Sequence, residues 1–391
     1  MINSFDYQIK TKLYFGPNRE EEIGKILLEH NASNVLIVIG QKSVIKSGLL
    51  NRVIKSIEKE NITYEIMQGI RVNPTFDYVQ KGVELVRENG VDFILAIGGG
   101  SVIDTAKCVA VNAFYNGDIK DFNLHLATPT KALPVGVILT IAASGSEMST
   151  SCVVQDDSMQ TKMGFNSELV RPVFAIENPE LTYSVNKEQT AYGVVDILMH
   201  TLERYFTKSD QFELADEFAL GLLKNVIDVG LIAYNEPDNY DARARLMLAS
   251  SLSHNGYTSV GKKYIMPIHQ LEHALSGKFV KVAHACGLAI LFPGWAEVYY
   301  RYDLVKFARL GKHLFGIRDD NLEEASKKCI NAFRDYFKKL GMPSKLSEVG
   351  VKEEDIEVLA NIVSRKGSRV VEHHSRPLNY ETAKEIYSLV L

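Results

Sequence analysis

The sequence lacks a large excess of charge of either sign, because it has 44 Lys and Arg residues and 48 Asp and Glu residues. The net charge of −4 provides no positive field that would attract nucleic acid or an anionic membrane surface. No apolar run approaches the ~20 residues that a membrane helix needs. The first ten residues, MINSFDYQIK, lack the charged-then-apolar layout of a signal peptide. We therefore expect neither a nucleic-acid nor a membrane partner.

Cysteine is also scarce, with four residues in a chain of 391 and none in a CxxC pair. Nothing resembles a disulfide framework, so a reduced, cytoplasmic protein is expected. What remains is an ordinary globular composition, 46% hydrophobic and 24% charged, in a chain long enough for two domains.

The first half of the chain alternates between strand-like and helix-like segments, which predicts crossover units and a mainly parallel sheet. The opening segment, YQIKTKLYFGPN, has β-like alternation and predicts a hairpin or an edge strand. Amphipathic spacing predicts helices at Ser43–Glu60 and Thr75–Asn89. Runs rich in Val and Ile predict buried strands at Val35–Gly40, Ile62–Met67, Phe93–Gly98 and Pro134–Leu139.

The pattern changes near residue 185, after which strand-like runs almost disappear. Asn186 precedes an acidic first turn and is a plausible N-cap. The sequence therefore predicts an α/β domain at residues 1–185 and an all-α domain at residues 186–391. Within the latter, helical spacing predicts Lys187–Phe206, Phe212–Tyr234, Ala242–His254, Leu322–Leu340 and Tyr380–Leu391.

Three adjacent glycines, Gly98-Gly99-Gly100, follow the predicted strand at Phe93 and open a helix. The free N–H groups and dipole of a helix start suit a pyrophosphate, and glycine lets a ligand approach the backbone. The segment is neither GxGxxG nor a Walker A loop. A turn that needs glycine only for packing is the alternative, and phosphate binding is favoured over it.

The end of the first buried strand bears on cofactor choice, because the adenosine ribose commonly lies near such a turn. The residues there are Gln41, Lys42 and Ser43, with no acidic side chain to pair with both ribose hydroxyls. Lys42 and Ser43 could instead accept a 2′-phosphate. This pattern favours NADP over NAD, although Lys42 could equally be a surface lysine.

Histidines are concentrated in the second half, where spacing suggests a metal site. His269 and His273 are four residues apart in HQLEH, and Asp196 and His200 are four apart in VDILMH, so each pair shares a helix face. His284 follows closely. Iron or zinc accepts such nitrogen and oxygen ligands, and a catalytic site leaves one position for substrate.

Each of these histidines could also be an ordinary core or surface residue, but two spaced pairs and a third His favour a metal site. HQLEH is not HExxH, which argues against a zinc protease. The remaining histidines considered are predicted to be surface residues: His30, His125, His313, His373 and His374.

Taken together, these motifs resemble the iron-containing (group III) alcohol dehydrogenases, especially the branch of butanol dehydrogenases and broad-range aldehyde reductases. The resemblance covers nearly the whole chain. It rests on Asn73-Pro74, GGGSVIDTAK, LTIAASGSEM, Lys162, VDILMHTLE, HQLEH and GLAILFPGW. It implies an N-terminal Rossmann-like domain and a C-terminal helical domain, the fold of the dehydroquinate synthase-like superfamily. It also implies a homodimer and a small alcohol or aldehyde substrate.

The resemblance further implies roles for individual residues. Asp196, His200, His269 and His284 would hold a divalent metal, iron or zinc, at the domain cleft. His273 would lie near the nicotinamide and substrate and assist proton movement. The cofactor, NADP or NAD, would be bound by Gln41, Lys42, Ser43, Asn73, Gly99, Gly100, Ser101, Asp104, Thr140, Ser146 and Lys162.

Three other functions compete with this interpretation. A lyase or cyclase resembling dehydroquinate synthase would need several basic side chains around the metal, whereas HQLEH is flanked by Ile265, Met266, Leu271 and Leu275, which suit an uncharged substrate. A non-catalytic binding module would have lost ligands, yet every ligand type is present. A glycerol dehydrogenase-like specificity stays open.

Overall fold

A computed structural model describes residues 4–159, 161–208, 213–373 and 375–391 of the chain. The chain divides into two compact units, one of residues 8–185 and one of residues 186–391 with the segment that ends at Tyr7. His374 lies outside the described residues, so its predicted surface position is not addressed. None of the described helices has both the length and the apolar character required to cross a membrane.

The first unit alternates strands and helices. Its strands are β1 (Lys12–Phe15), β2 (Asn34–Ile39), β3 (Thr63–Met67), β4 (Phe93–Gly98), β5 (Val135–Leu139), β6 (Ser151–Asp156), β7 (Thr161–Asn166) and β8 (Phe174–Glu177). Its helices are α1 (Ile23–Glu29), α2 (Ser43–Lys46), α3 (Leu49–Lys59), α4 (Phe76–Asn89) and α5 (Gly100–Asn112).

Six of these strands form one sheet in the order β1-β8-β5-β4-β2-β3, and every neighbouring pair is parallel. The predicted parallel sheet is therefore confirmed. The opening segment supplies β1, an edge strand parallel to β8 rather than half of a hairpin. The continuous Val and Ile runs of β2, β4 and β5 are buried, as expected for strands covered on both faces.

The strand order also shows where a ligand can bind. After β3 the chain returns to the other side of β2, so the order reverses between β2 and β4. In open parallel sheets, ligands bind beyond the carboxyl ends of the strands at such a reversal. Gln41 follows β2 there, and Gly99 follows β4.

Two local features differ from the sequence prediction. The helix predicted at Ser43–Glu60 is two helices, α2 and α3, because Gly48 has φ +74° and interrupts the helical path. The antiparallel pair β6 and β7 was not predicted. Most residues of β7 are half-buried, so hydrophobic alternation gives little signal there.

The second unit is helical, as predicted, and among its described residues the only β pairing is an isolated bridge between Val371 and Leu378. Asn186 is the N-cap of its first helix, since its side chain accepts a hydrogen bond from the Gln189 N–H. The helices are α6 (Lys187–Phe206), α7 (Glu213–Asn235), α8 (Tyr240–His254), α9 (Pro267–Lys278), α10 (His284–Tyr299), α11 (Leu304–Phe315), α12 (Leu322–Lys339), α13 (Asp355–Ser364) and α14 (Tyr380–Leu389).

Candidate metal and cofactor sites

Helix α6 carries three polar residues on one buried face. Asp196, His200 and Glu203 are spaced i, i+4 and i+7, so their side chains project in the same direction. Their exposed fractions are 7%, 5% and 2%. Burying two carboxylates and an imidazole is costly unless each gains a partner or a cation, so this face is a candidate binding site.

Glu203 links α6 to α9. Its Oε1 accepts hydrogen bonds from the backbone N–H groups of Ile268 (2.6 Å) and His269 (3.1 Å), at the start of α9. It thus fills the role of an N-cap from a distant part of the chain, because the first N–H groups of a helix have no partner within it. His269 is thereby held against the buried face of α6.

The four predicted ligands meet around one carboxylate oxygen. Asp196 Oδ1 lies 3.8 Å from His269 Nε2 and 3.8 Å from His284 Nε2. It is 3.3 Å from Nδ1 of His200, and the His200 and His269 rings are 4.5 Å apart. The structure therefore brings Asp196, His200, His269 and His284 together.

The second ring nitrogen of His269 and of His284 is engaged by a carboxylate oxygen. His269 Nδ1 contacts Glu203 Oε2, and His284 Nδ1 contacts Glu272 Oε2. His200 Nδ1, the nitrogen that lies near Asp196 Oδ1, is also 3.0 Å from the Asp196 carbonyl oxygen, which leaves Nε2 as the free ligand atom of this ring. Imidazoles that bind metals are oriented in this way, with one nitrogen held by a carboxylate or carbonyl and the other turned towards the ion.

Two buried atoms at this point fit a bound cation. Among the described residues, Asp196 Oδ1 and His269 Nε2 have no hydrogen-bond partner. Buried polar atoms rarely stay unsatisfied. Ligands at roughly 2.1 Å in tetrahedral geometry lie about 3.4 Å from one another, close to the 3.8 Å that separates Asp196 Oδ1 from Nε2 of His269 and of His284. One carboxylate and three imidazoles are a donor set that iron or zinc accepts.

The electrostatics of the cluster are consistent with a bound cation. Burial lowers the pKa of His200 well below its ordinary value, and the neighbouring His254 and His269 lower it further, which keeps the imidazole neutral. Burial also acts to lower the pKa of His269, but the carboxylates Glu203 and Asp196 outweigh it and raise that pKa to about 9. The negative potential around His269 thus favours a positive charge.

His273 lies beside this cluster. Its ring centroid is 6.2 Å from that of His269 and 5.7 Å from that of His284, and the side chain is half-buried. Leu271 and Leu275 are fully buried in the core, so of the four apolar residues around HQLEH only Ile265 and Met266 are partly exposed.

Three residues of the site were not assigned from the sequence. Glu203 could have been found, because it continues the i, i+4 spacing of the α6 face by one turn. Glu272 lies between the two histidines of HQLEH and offered a similar signal. His254, at the end of α8, packs against His200 with ring centroids 4.3 Å apart and the rings tilted by 35°, and no sequence spacing indicated it.

The other histidines are placed outside the cluster. His125 and His313 are exposed, as predicted. His30 and His373 are half-buried, so they reach the surface without being fully exposed. Both pack on aromatic rings, with His30 5.3 Å from Phe174 and His373 4.7 Å from Tyr299.

Removing the charge of Glu203 should weaken metal binding without removing a ligand. In Glu203→Gln we expect metal affinity to fall about 10- to 100-fold, because the partner that orients a metal-bound histidine typically contributes that much. Competition with a chelator of known affinity measures the change. Glu188→Gln, an exposed position on α6, should keep the original affinity, and equal affinities for both variants would contradict the orienting role.

In the α/β unit, the turn formed by Gly98, Gly99 and Gly100 (the glycine turn) is closely packed. A Cβ on Gly99 would lie 2.4 Å from Ile141 Cγ2, and one on Gly100 would lie 2.5 Å from Ser144 Oγ. Packing therefore requires glycine at both positions. The turn also leads into α5, whose first N–H groups, at Gly100 and Ser101, have no partner within the helix and suit an anion.

The other predicted cofactor residues lie at the ends of strands or in the loop after β3. Residues 41–43 follow β2 and are exposed. Thr140 follows β5 and donates its N–H to the Gly98 carbonyl at 3.1 Å. Asn73, after β3, has φ +56°, and Lys162 is half-buried on β7.

Asp104 and Ser146 bind each other. Ser146 is buried, and its hydroxyl donates to Asp104 Oδ1 at 2.6 Å and accepts from Lys107 Nζ at 3.0 Å. The other carboxylate oxygen of Asp104 accepts the Val153 N–H at 3.1 Å. Asp104 and Ser146 are thus held by contacts with α5, the loop after β5 and β6, and their predicted role in cofactor binding stays a prediction.

Two family models match the chain. The model of the iron-containing alcohol dehydrogenases matches residues 10–179, and the model of the C-terminal domain of the same family matches residues 190–391. The chain belongs to the iron-containing alcohol dehydrogenase family. It is an NAD(P)-dependent oxidoreductase that interconverts alcohols and aldehydes, which decides against the lyase and the non-catalytic module.

Individual relatives support the same branch. The chain is 39% identical over 387 residues to NADH-dependent butanol dehydrogenase A of Clostridium acetobutylicum, covering 98% of each protein. It is 32% identical over 391 residues to the NADPH-dependent aldehyde reductase YqhD of Escherichia coli, covering 99% of each. The crystal structure of a butanol dehydrogenase from Thermotoga maritima superposes with a TM-score of 0.95 at 33% identity, covering 100% of this chain and 99% of that one. The predicted fold class is thereby confirmed.

Proposed function

We propose that this iron-containing alcohol dehydrogenase acts on small primary alcohols and aldehydes of butanol-like size. An alcohol would lose a hydride to NAD(P)⁺ and a proton to the protein, giving an aldehyde and NAD(P)H, and the reverse reaction would consume both. The observation that carries the proposal is the convergence of His269 Nε2 and His284 Nε2 on Asp196 Oδ1, each at 3.8 Å. The partly exposed Ile265 and Met266 suit an uncharged substrate.

We assign Asp196, His200, His269 and His284 as ligands of one iron or zinc ion. Such an ion, when bound, supplies Lewis-acid stabilisation of negative charge on the substrate oxygen. Glu203 and Glu272 hold two of the imidazoles in the orientation that presents Nε2. His273 relays the proton through a ring nitrogen, since imidazole titrates near working pH.

We assign residues 1–185 to the dinucleotide and residues 186–391 to the metal. The N–H groups of Gly100 and Ser101 would bind the pyrophosphate at the start of α5, with Gly99 keeping the approach open. Residues 41–43 would lie at the adenosine ribose, and Asn73, Thr140 and Lys162 along the rest of the cofactor. A cytoplasmic homodimer is also proposed, with β1 an edge strand that could pair with a second copy.

The proposed activity is tested by NADH and NADPH oxidation with a series of aldehydes of increasing chain length, with and without a chelator. We expect turnover with short aldehydes, loss of turnover after chelation, and recovery when iron or zinc is restored. Turnover that survives complete removal of the metal would contradict the proposal.

Cofactor choice is proposed to favour NADPH, because Lys42 is exposed at the end of β2 and can pair with a 2′-phosphate. The named relatives include both NADH- and NADPH-dependent enzymes. In Lys42→Gln the ratio of kcat/KM for NADPH to that for NADH should fall about fivefold, the value of one exposed ion pair. Lys46→Gln, an exposed lysine at the end of α2 and one turn after Lys42, is the matched control. An unchanged ratio in Lys42→Gln would rule out the pairing.

A further inference from the structure

Lys107 is a fully buried lysine in the α/β unit, on the same face of α5 as Gly100 and two turns further along. Its ammonium donates hydrogen bonds to Ser146 Oγ (3.0 Å), the Ser149 carbonyl (2.9 Å) and the Ser151 carbonyl (2.9 Å). Lysine is almost never fully buried unless paired, because desolvating the charge is costly. Burial lowers the pKa of Lys107 to about 8, even though Asp104 and Glu147 act to raise it.

The acceptors of Lys107 belong to one segment, residues 146–151, which joins the loop after β5 to the start of β6. Asp104, one turn before Lys107 on α5, binds the same segment through the Ser146 hydroxyl, and its other carboxylate oxygen accepts the Val153 N–H of β6. Helix α5 therefore binds this segment through the Lys107 ammonium and the Asp104 carboxylate, and both groups hydrogen-bond to the Ser146 hydroxyl.

The segment at residues 146–151 is linked by further contacts to the glycine turn, Gly98-Gly99-Gly100. Ser144 Oγ accepts a hydrogen bond from the Ser146 N–H at 3.3 Å. The same oxygen lies 2.5 Å from the position that a Cβ on Gly100 would occupy. Ile141, in the same loop, packs as closely on Gly99. A continuous series of contacts thus runs from Lys107 through Ser146 and Ser144 to the first residues of α5.

We propose that Lys107 is a positioning residue for the pyrophosphate, holding the loop of residues 140–146 against the glycine turn so that the N–H groups of Gly100 and Ser101 stay aimed at the anion. This inference rests on the proposed dinucleotide site. Lys107 itself touches no cofactor atom in this role, because its Nζ is occupied by the segment at residues 146–151.

The test compares two probes that differ in the pyrophosphate. ADP-ribose carries it, whereas AMP does not. In Lys107→Met the dissociation constant of ADP-ribose should rise about tenfold, the effect of one well-placed charge-assisted hydrogen bond, with AMP affinity unchanged. Ser146→Ala, which keeps the lysine and removes the shared hydroxyl, should shift ADP-ribose affinity in the same direction and serves if Lys107→Met does not fold.

Lys262→Met is the matched control, since Lys262 is a buried lysine that pairs with Asp216 in the helical unit. It should lower Tm and leave both dissociation constants unchanged. If Lys107→Met and Ser146→Ala lower Tm but leave ADP-ribose affinity at the original value, Lys107 is structural only and the inference is wrong. If the unaltered protein binds neither ADP-ribose nor NADPH, the proposed dinucleotide site itself fails.

Discussion

Replacing Asp196 with alanine is expected to lower kcat/KM for aldehyde reduction by at least about a thousandfold. Lewis-acid stabilisation of the substrate oxygen contributes several kcal/mol, and about 1.36 kcal/mol corresponds to each factor of ten in rate. Asp196 is the only carboxylate among the four proposed ligands, and its Oδ1 is the atom that both His269 Nε2 and His284 Nε2 approach. Without it, three neutral imidazoles would have to hold a divalent cation alone.

Metal content measured by mass spectrometry, together with steady-state kinetics, checks this result. Asp196→Ala should bind less than one tenth of the original metal under the same loading, a change that one lost anionic ligand easily produces. Asp241→Ala, an exposed aspartate at the start of α8, should retain both metal and activity. Full metal content in Asp196→Ala would show that the ion binds elsewhere.

Replacing His273 with alanine should have a different outcome, because its ring lies beside the cluster rather than at its centre. We expect the metal to stay bound and kcat to fall about 10²- to 10⁴-fold, the usual contribution of a general acid or base. Added imidazole should restore part of the activity, since it can enter the space left by the side chain.

His313→Ala controls for the substitution itself, as His313 is exposed on α11. It should behave like the unaltered protein in both metal content and turnover. Two results would reject the role of His273: loss of metal from His273→Ala, which would make it a ligand, or turnover equal to that of the control.

Much of the fold could be predicted because its signals are local. The Val and Ile runs of β2, β4 and β5 are long enough to mark buried strands, and Asn186 caps α6 as its residue type indicates. The division of Ser43–Glu60 into α2 and α3 was missed because apolar spacing continues across Gly48. Only the positive φ of that glycine, which depends on the surrounding structure, ends the first helix.

The site was predictable to the extent that it follows helical spacing. Asp196 and His200 could be paired from their spacing, and the resemblance to a known family supplied His269 and His284 as ligands. The spacing on α6 places Glu203 on the same face as Asp196 and His200, but its role in orienting His269 could not be predicted, since the two residues meet only after 65 intervening residues have folded. The same holds for Lys107, whose acceptors at Ser146, Ser149 and Ser151 lie about 40 residues further along the chain.

The central claim is that one divalent ion is held by α6, α9 and α10, and crystals loaded with iron or zinc test it most directly. An anomalous difference map collected at the metal edge should show one peak about 2.0–2.2 Å from a carboxylate oxygen of Asp196 and from Nε2 of His200, His269 and His284. A fully loaded, active crystal whose peak lies away from these four side chains would contradict the account.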